Sequence, residues 1–159
     1  MTIRTIESAD NETIAGIIRK TLTEFGANKP GTVYYDERTD RLYEEFRMPG
    51  SKYFVVEERG DVLGGGGIYP TEGLETGTCE LVKLYLSAAA RGRGLGKRLI
   101  NHCIRAAKEM GYKKIYLETM PELIIAIPLY ESFGFEYLSK AEGNSGHTGC
   151  DIWMIKALD

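Results

Sequence analysis

The most constraining stretch of this chain runs from Leu81 to Arg98. Leu81-Val82-Lys83-Leu84-Tyr85-Leu86 reads as a strand and Ser87-Ala88-Ala89-Ala90 as a short link. Arg91-Gly92-Arg93-Gly94-Leu95-Gly96-Lys97-Arg98 then reads as a glycine-rich turn that enters a helix directly. A turn of this kind points successive backbone N–H groups at one spot, where the helix dipole also favours an anion. Glycine lets a phosphate lie against the backbone, and Arg91, Arg93, Lys97 and Arg98 add positive charge. The stretch is a predicted phosphate or pyrophosphate cradle. Two common templates fail here: Arg98 follows Lys97 where a P-loop needs Ser or Thr, and Gly92, Gly94 and Gly96 give GxGxG rather than GxGxxG. An arginine-rich solvated turn is the competing reading.

Periodicity and turn chemistry order the rest of the chain. Thr2–Ile6 alternates weakly as a strand. Glu12–Phe25 carries Ile14, Ile17, Ile18, Leu22 and Phe25 at helical spacing, with Asp10 or Asn11 as its cap and Gly26 as its stop. Tyr35–Phe46 reads as a second, more exposed helix. Tyr53–Glu58 and Val62–Tyr69 form a hairpin about Gly60-Asp61. The second arm holds Gly64-Gly65-Gly66-Gly67, which signals a bulge or a close backbone approach; a side chain there is expected to block an acceptor pocket. Thr78–Leu86 is a strand. Leu95–Met110 is an amphipathic helix with Leu95, Leu99, Ile100, Cys103, Ile104 and Ala107 inward, ended by Gly111. Lys114–Thr119 is a strand, Pro121–Phe133 a helix opened by proline, and Phe135–Leu138 and Asp151–Ile155 are closing strands. Strands alternating with helices late in the chain predict a mixed α/β sheet. The 159 residues fit one domain, 1–159.

Charge and cysteine usage exclude several functions. Twenty Lys and Arg against 23 Asp and Glu give a net charge of -3, so bulk attraction to nucleic acid is not expected. Cys79, Cys103 and Cys150 are far apart, and two histidines complete no zinc spacing. No metal is expected, and free thiols point to the reducing cytoplasm. The first residues lack the apolar stretch of a signal peptide. The longest aliphatic run, Leu123–Ile127, is too short to span a bilayer.

Two motifs resemble the GNAT superfamily of acetyl-CoA-dependent N-acetyltransferases. Arg91-Gly92-Arg93-Gly94-Leu95-Gly96 matches its [Q/R]-x-x-G-x-[G/A] motif, with Leu84-Tyr85-Leu86 as the preceding strand. Tyr130-Glu131-Ser132-Phe133-Gly134-Phe135 resembles its later signature. The resemblance implies an α/β (α+β) fold: a mostly antiparallel sheet of about seven strands, splayed in the middle and flanked by about four helices. The strand Glu80–Leu86 would part from Lys114–Thr119, and the pantetheine arm of acetyl-CoA would lie in the gap.

The same resemblance assigns roles. The backbone of Leu84, Tyr85 and Leu86 would hold the pantetheine, and the Leu84 N–H would polarise the thioester carbonyl. The amides of Arg91, Gly92, Arg93, Gly94, Leu95, Gly96 and Lys97 would hold the pyrophosphate. Glu80 stands where some members carry a catalytic base; a partner for the substrate ammonium and a structural carboxylate are its other readings. Tyr130 resembles the general acid for the leaving thiolate. The chain departs from the pattern at Ala88, often proline, at Leu123, often a cofactor-binding Asn, and at Pro128 inside the last helix, which would kink it or shift its start.

The acceptor side is less defined. His147, in the polar stretch Gly143–Asp151, could act as a second base or orient the substrate, while a solvated hairpin is the plainer reading. Cys150 could be a nucleophile only with a depressed pKa. Tyr34 and Tyr35 lie in the other candidate acceptor wall, Asn28–Tyr43. The expected partners are acetyl-CoA and an amine of a small molecule or peptide, with no nucleic acid and no membrane. A sheet edge near the C-terminus could pair in a homodimer. A non-catalytic acyl-CoA sensor on the same fold is the alternative function.

Overall fold

The computed structural model describes residues 1–159. Seven strands form one sheet: β1 (Thr2–Thr5), β2 (Lys52–Glu58), β3 (Asp61–Tyr69), β4 (Thr78–Leu86), β5 (Lys114–Thr119), β6 (Glu136–Leu138) and β7 (Ile152–Ala157). Their spatial order is β1-β2-β3-β4-β5-β7-β6. Every neighbouring pair is antiparallel except β4 and β5.

Alternation along β2 sorts the core onto two faces. Phe54 and Val56 point to the side covered by α3 (Leu95–Glu109), where Leu95, Leu99, Ile100, Cys103 and Ala107 are buried. Tyr53 and Val55 point to the side covered by α1 (Asn11–Glu24), through Ile14, Ile18 and Leu22. On α3, Ala106 is buried where Ile104 was expected, and Ile104 is only half-buried.

Three helical expectations are corrected. Asp10 does not cap α1; its carboxylate accepts from the Glu7 N–H at 2.7 Å and from both Arg4 Nη atoms at 2.8 and 3.0 Å. The segment expected as a helix over Tyr35–Phe46 is two 3-10 turns, Val33–Tyr35 and Glu37–Arg41, and one α turn, α2 (Leu42–Glu45). Asp36 breaks it, because its side chain accepts from the Arg38 N–H at 2.9 Å and fixes a turn. The last helix, α4 (Ala126–Ser132), starts five residues late. Pro128 explains the delay: it lacks an N–H donor and is tolerated only in a first helical turn, which is where it now stands.

The glycine run lies within β3, where the register with β4 shifts between Gly65 and Gly67 as at a bulge, and it packs against both faces. A Cβ at Gly65 would sit 2.6 Å from the Tyr53 ring, and one at Gly67 would sit 2.7 Å from it. On the other face, a Cβ at Gly64 or Gly66 would meet Leu86 Cδ2 at 2.8 Å or Leu84 Cδ1 at 2.7 Å. Backbone oxygens close three of these positions further. The close approach is therefore within the sheet. None of the four glycines borders either cleft described below, so the expectation that they shape an acceptor pocket is not supported.

Candidate active site

β4 and β5 pair through only three residues, Thr78↔Lys114, Cys79↔Ile115 and Glu80↔Tyr116. Beyond Glu80 they diverge, so Leu81–Leu86 and Leu117–Thr119 face each other across a gap. The gap opens into a cleft of about 1050 Å³ counting its mouth, walled largely by apolar side chains. Opposite Gly66, β4 spends two residues, Lys83 and Leu84, where β3 has one. Such a bulge re-aims the backbone. Lys83 adopts φ 54°, a left-handed conformation rare for a residue with a side chain. Tyr53, fully buried, holds the distortion: its ring lies across the glycines of β3 and its hydroxyl donates to the Lys83 carbonyl at 2.7 Å.

The glycine turn ends this cleft. Gly92 and Gly94 have φ of 75° and 76°, and Gly96 lets α3 approach Leu129 of α4, since a Cβ there would meet Leu129 Cδ2 at 2.9 Å. The N–H groups of Gly92 through Lys97 donate to no acceptor within the protein, whereas the Arg91 N–H bonds to the Ala88 carbonyl. Six adjacent unused donors at a helix N-terminus make an anion site. The arginine side chains add less than their number suggests. Arg91 pairs with Glu24 at 2.6 Å, bonds to the Leu86 carbonyl and stacks on Phe25; Arg93 pairs with Glu58 at 2.5 Å. Lys97 is left free of any ion pair.

Glu80 lies at the apex of the gap, 3% exposed. Thr71 donates to its Oε1 at 2.6 Å. Burial pushes its carboxyl up to about 7, with a small contribution from the Glu118 charge and against the Thr71 bond. Tyr130 lines the same cleft; its ring packs edge-on against Phe135, its hydroxyl has no protein partner, and burial holds the phenol well above its usual value. Thr119 presents a buried Oγ1 without a partner, also in this cleft. Tyr85 lines it too.

A second cleft, about 780 Å³ with its mouth, meets the first at Glu80, Val82, Lys83 and His147. His147 is brought there by the stretch between β6 and β7, which is packed rather than a solvated hairpin. Asn144 N–H donates to the Glu72 carbonyl at 2.7 Å, Gly149 N–H to the Gly31 carbonyl at 2.8 Å, and Ser145 bonds to Glu118. His147 Nε2 lies 3.0 Å from Asp36 Oδ2. Burial lowers the imidazole pKa in spite of that carboxylate, so the neutral ring donates from Nε2 and keeps Nδ1 as an acceptor. Arg38 grips Asp36 through its Nη2 at 2.8 Å and Nε at 3.0 Å, and the guanidinium holds Asp36 far below the ordinary carboxylate range against the effect of burial.

Other expected residues fall elsewhere. Tyr34 and Tyr35 stack edge-on at 5.0 Å and border neither cleft; Tyr35 is 60% exposed. Their segment contributes Thr32, Val33 and Arg38 instead. Cys150 lines the first cleft, but burial pushes its thiol up to about 12, opposite to what a thiolate nucleophile requires. Lys83 was missed, although a lone lysine within Leu81–Leu86 is itself a signal in an apolar strand. Asp36 lies in the acceptor wall expected over Asn28–Tyr43, as one of its acids; Thr71, Thr119 and Tyr53 carry no sequence signal.

The comparisons with known proteins agree with this geometry. The Acetyltransferase (GNAT) family matches residues 15–135. The uncharacterized N-acetyltransferase YjgM of Escherichia coli (strain K12) is 44% identical over 158 residues, 98% of this chain and 94% of that one. A GNAT-family acetyltransferase from Staphylococcus aureus Mu50 shares the fold with a TM-score of 0.85 at 17% identity, over 99% of each chain. YncA from Salmonella typhimurium, solved with its cofactor acetyl-CoA, has a TM-score of 0.77 at 24% identity over 100% of this chain and 94% of that one. A family match across three quarters of the sequence, together with near-full-length similarity to an N-acetyltransferase, leads to one assignment: this chain belongs to the GNAT family of acetyltransferases, and it is an acyltransferase.

Proposed function

We propose that the protein transfers the acetyl group of acetyl-CoA to a primary amine by direct attack in a ternary complex. The observation that carries this reading is the junction of the two clefts. An apolar slot ending in unused N–H donors meets a polar cleft at a buried glutamate beside a backbone bulge. The slot fits the co-substrate by its chemistry. Gly92–Lys97 N–H groups suit the pyrophosphate, with Lys97 as the free cation. The backbone of Leu84, Tyr85 and Leu86 and the orphaned Thr119 hydroxyl suit the pantetheine amides. When bound there, acetyl-CoA supplies an activated acyl carbon.

The remaining roles belong to this chain. The Leu84 N–H, turned by the bulge, donates to the thioester carbonyl oxygen and stabilises the charge that develops on it. Glu80 takes the proton of the attacking amine; a carboxyl near 7 suits a base working at neutral pH. Tyr130, kept protonated by burial, donates its O–H to the departing sulfur. The C–S bond breaks, a C–N bond forms, and one proton moves from nitrogen to the thiol by way of Glu80 and Tyr130. Three unpaired thiols suit the cytoplasm. The short edge strand β6, with Tyr137 55% exposed, is where a second copy would pair.

Release of coenzyme A thiol from acetyl-CoA across a panel of primary amines tests the function. Amine-dependent release is expected. Tight acetyl-CoA binding with no release over the panel would support the sensor instead.

A further inference from the structure

The second cleft holds a cation that the reaction described above does not use. Three basic side chains line it: Arg38, Lys83 and His147. Two are already committed. Arg38 forks onto Asp36, and His147, neutral through burial, donates to the same carboxylate. Lys83 has no ion-pair partner within 4.0 Å and no side-chain hydrogen bond. Lys83 lines both clefts where they meet. Asp36, Glu80 and Glu45 act on it only from a distance, and removal from water outweighs them, lowering its pKa. An ammonium in such a place is stabilised most by an anion that enters with the ligand.

We propose that Lys83 binds a carboxylate of the acceptor, so that the second cleft takes a free α-amino acid. This rests on the acetyltransferase reading of the site and specifies its substrate. Lys83 lines both clefts, and Leu84, next to it in the chain, lines the first. The attacking nitrogen must reach the carbon held at the Leu84 N–H, so a carboxylate met by Lys83 at this junction belongs to the same small acceptor, as in an α-amino acid. A peptide N-terminus presents a neutral amide at that position and leaves the ammonium without an anion. The amino acid side chain would extend toward the aromatic wall of Phe46 and Tyr69, whose rings meet edge-on at 5.4 Å. Glu45 and Glu72 on the same cleft are the features that a diamine would use instead.

Matched acceptors test this with the intact protein and acetyl-CoA. Thiol release is measured for a set of free α-amino acids, their primary amides and their decarboxylated amines, with acetyl-CoA binding measured separately by calorimetry. The amide has the less basic nitrogen, so intrinsic reactivity favours it, and a preference for the acid reports recognition. The best acid is expected to exceed its amide and its amine in kcat/KM by about 10²-fold, the scale of a charge-assisted contact. Lys83→Met should bring the acid-to-amide ratio close to one, and Lys83→Arg should keep it well above one. Release that is equal for acid and amide, or greatest with diamines, overturns the carboxylate assignment alone. Acetyl-CoA binding without release for any acceptor overturns the transferase reading and this one with it. The wild-type ratio decides the matter even if a Lys83 variant does not fold.

Discussion

Glu80→Gln separates two consequences of one buried carboxyl. The ordinary value for the group is 4.5 and the folded value is about 7. Between these values the folded state binds more protons than the unfolded one, so stability falls as pH rises. The destabilisation that follows from the raised value is about 1 kcal/mol at pH 5 and about 3 kcal/mol at pH 8, using about 1.4 kcal/mol per tenfold in proton affinity. Glutamine keeps the shape and can still bond to Thr71, but it does not ionise. Urea unfolding of ligand-free protein should show the wild type losing roughly 2–3 kcal/mol more than the variant between those two pH values. The same substitution should lower kcat by about 10²-fold or more and remove the kinetic limb near pH 7, leaving only the limb of the amine itself. Parallel stability curves would refute the burial argument. A persisting limb near 7 in the variant would refute Glu80 as the base.

Four further outcomes follow from contacts in the site. Tyr130→Phe should reduce kcat more than tenfold on the scale of general-acid contributions, with acetyl-CoA affinity by calorimetry little changed. Tyr53→Phe removes the donor to the Lys83 carbonyl; a loss of about 1 kcal/mol in urea unfolding is expected, with kcat falling and the acceptor KM steady. Gly65→Ala drives a methyl against the Phe54 carbonyl at 2.5 Å and the Tyr53 ring at 2.6 Å, so unfolding free energy should drop by roughly 1–3 kcal/mol. Gly92→Ala meets open space but a φ of 75°; weaker acetyl-CoA binding by calorimetry, with the fold retained, is the expected result.

Local patterning made most of the fold legible. The hairpin about Gly60, the strands Thr78–Leu86 and Lys114–Thr119 and the long helix from Leu95 all follow from alternation, 3.6-residue spacing or a glycine at positive φ. The misread segments are those where a side chain competes with backbone bonding. Asp36 turns the chain where a helix was expected; the bound Pro121 for the last helix was too early, and Pro128 shifts its start as its place in the sequence implied. Within the site, Gly92–Gly96 and the Tyr130 signature are contiguous in sequence and so readable. The Asp36–Arg38–His147 cluster spans 111 positions, and the Tyr53–Lys83 contact spans 30. Asp36 and Arg38 meet in a local turn, but their contact with His147 and the Tyr53–Lys83 contact have no local signature, because the tertiary fold brings those groups together.

The three-residue pairing of β4 with β5 also makes a lever. β4 and β5 are joined only from Thr78 to Glu80 while β4 stays paired with β3 up to Leu86, so any rotation about that short seam would carry β3 and β4 together, with displacement growing with distance from it. Leu86 lies six residues past Glu80, about 20 Å along an extended strand. A rotation of about 5° would move that end by roughly 1.7 Å over this strand length while leaving Glu80 almost still. Such a rotation would change the width of the slot near the glycine turn more than at Glu80. The carboxyl at the fulcrum keeps its position relative to both strands throughout.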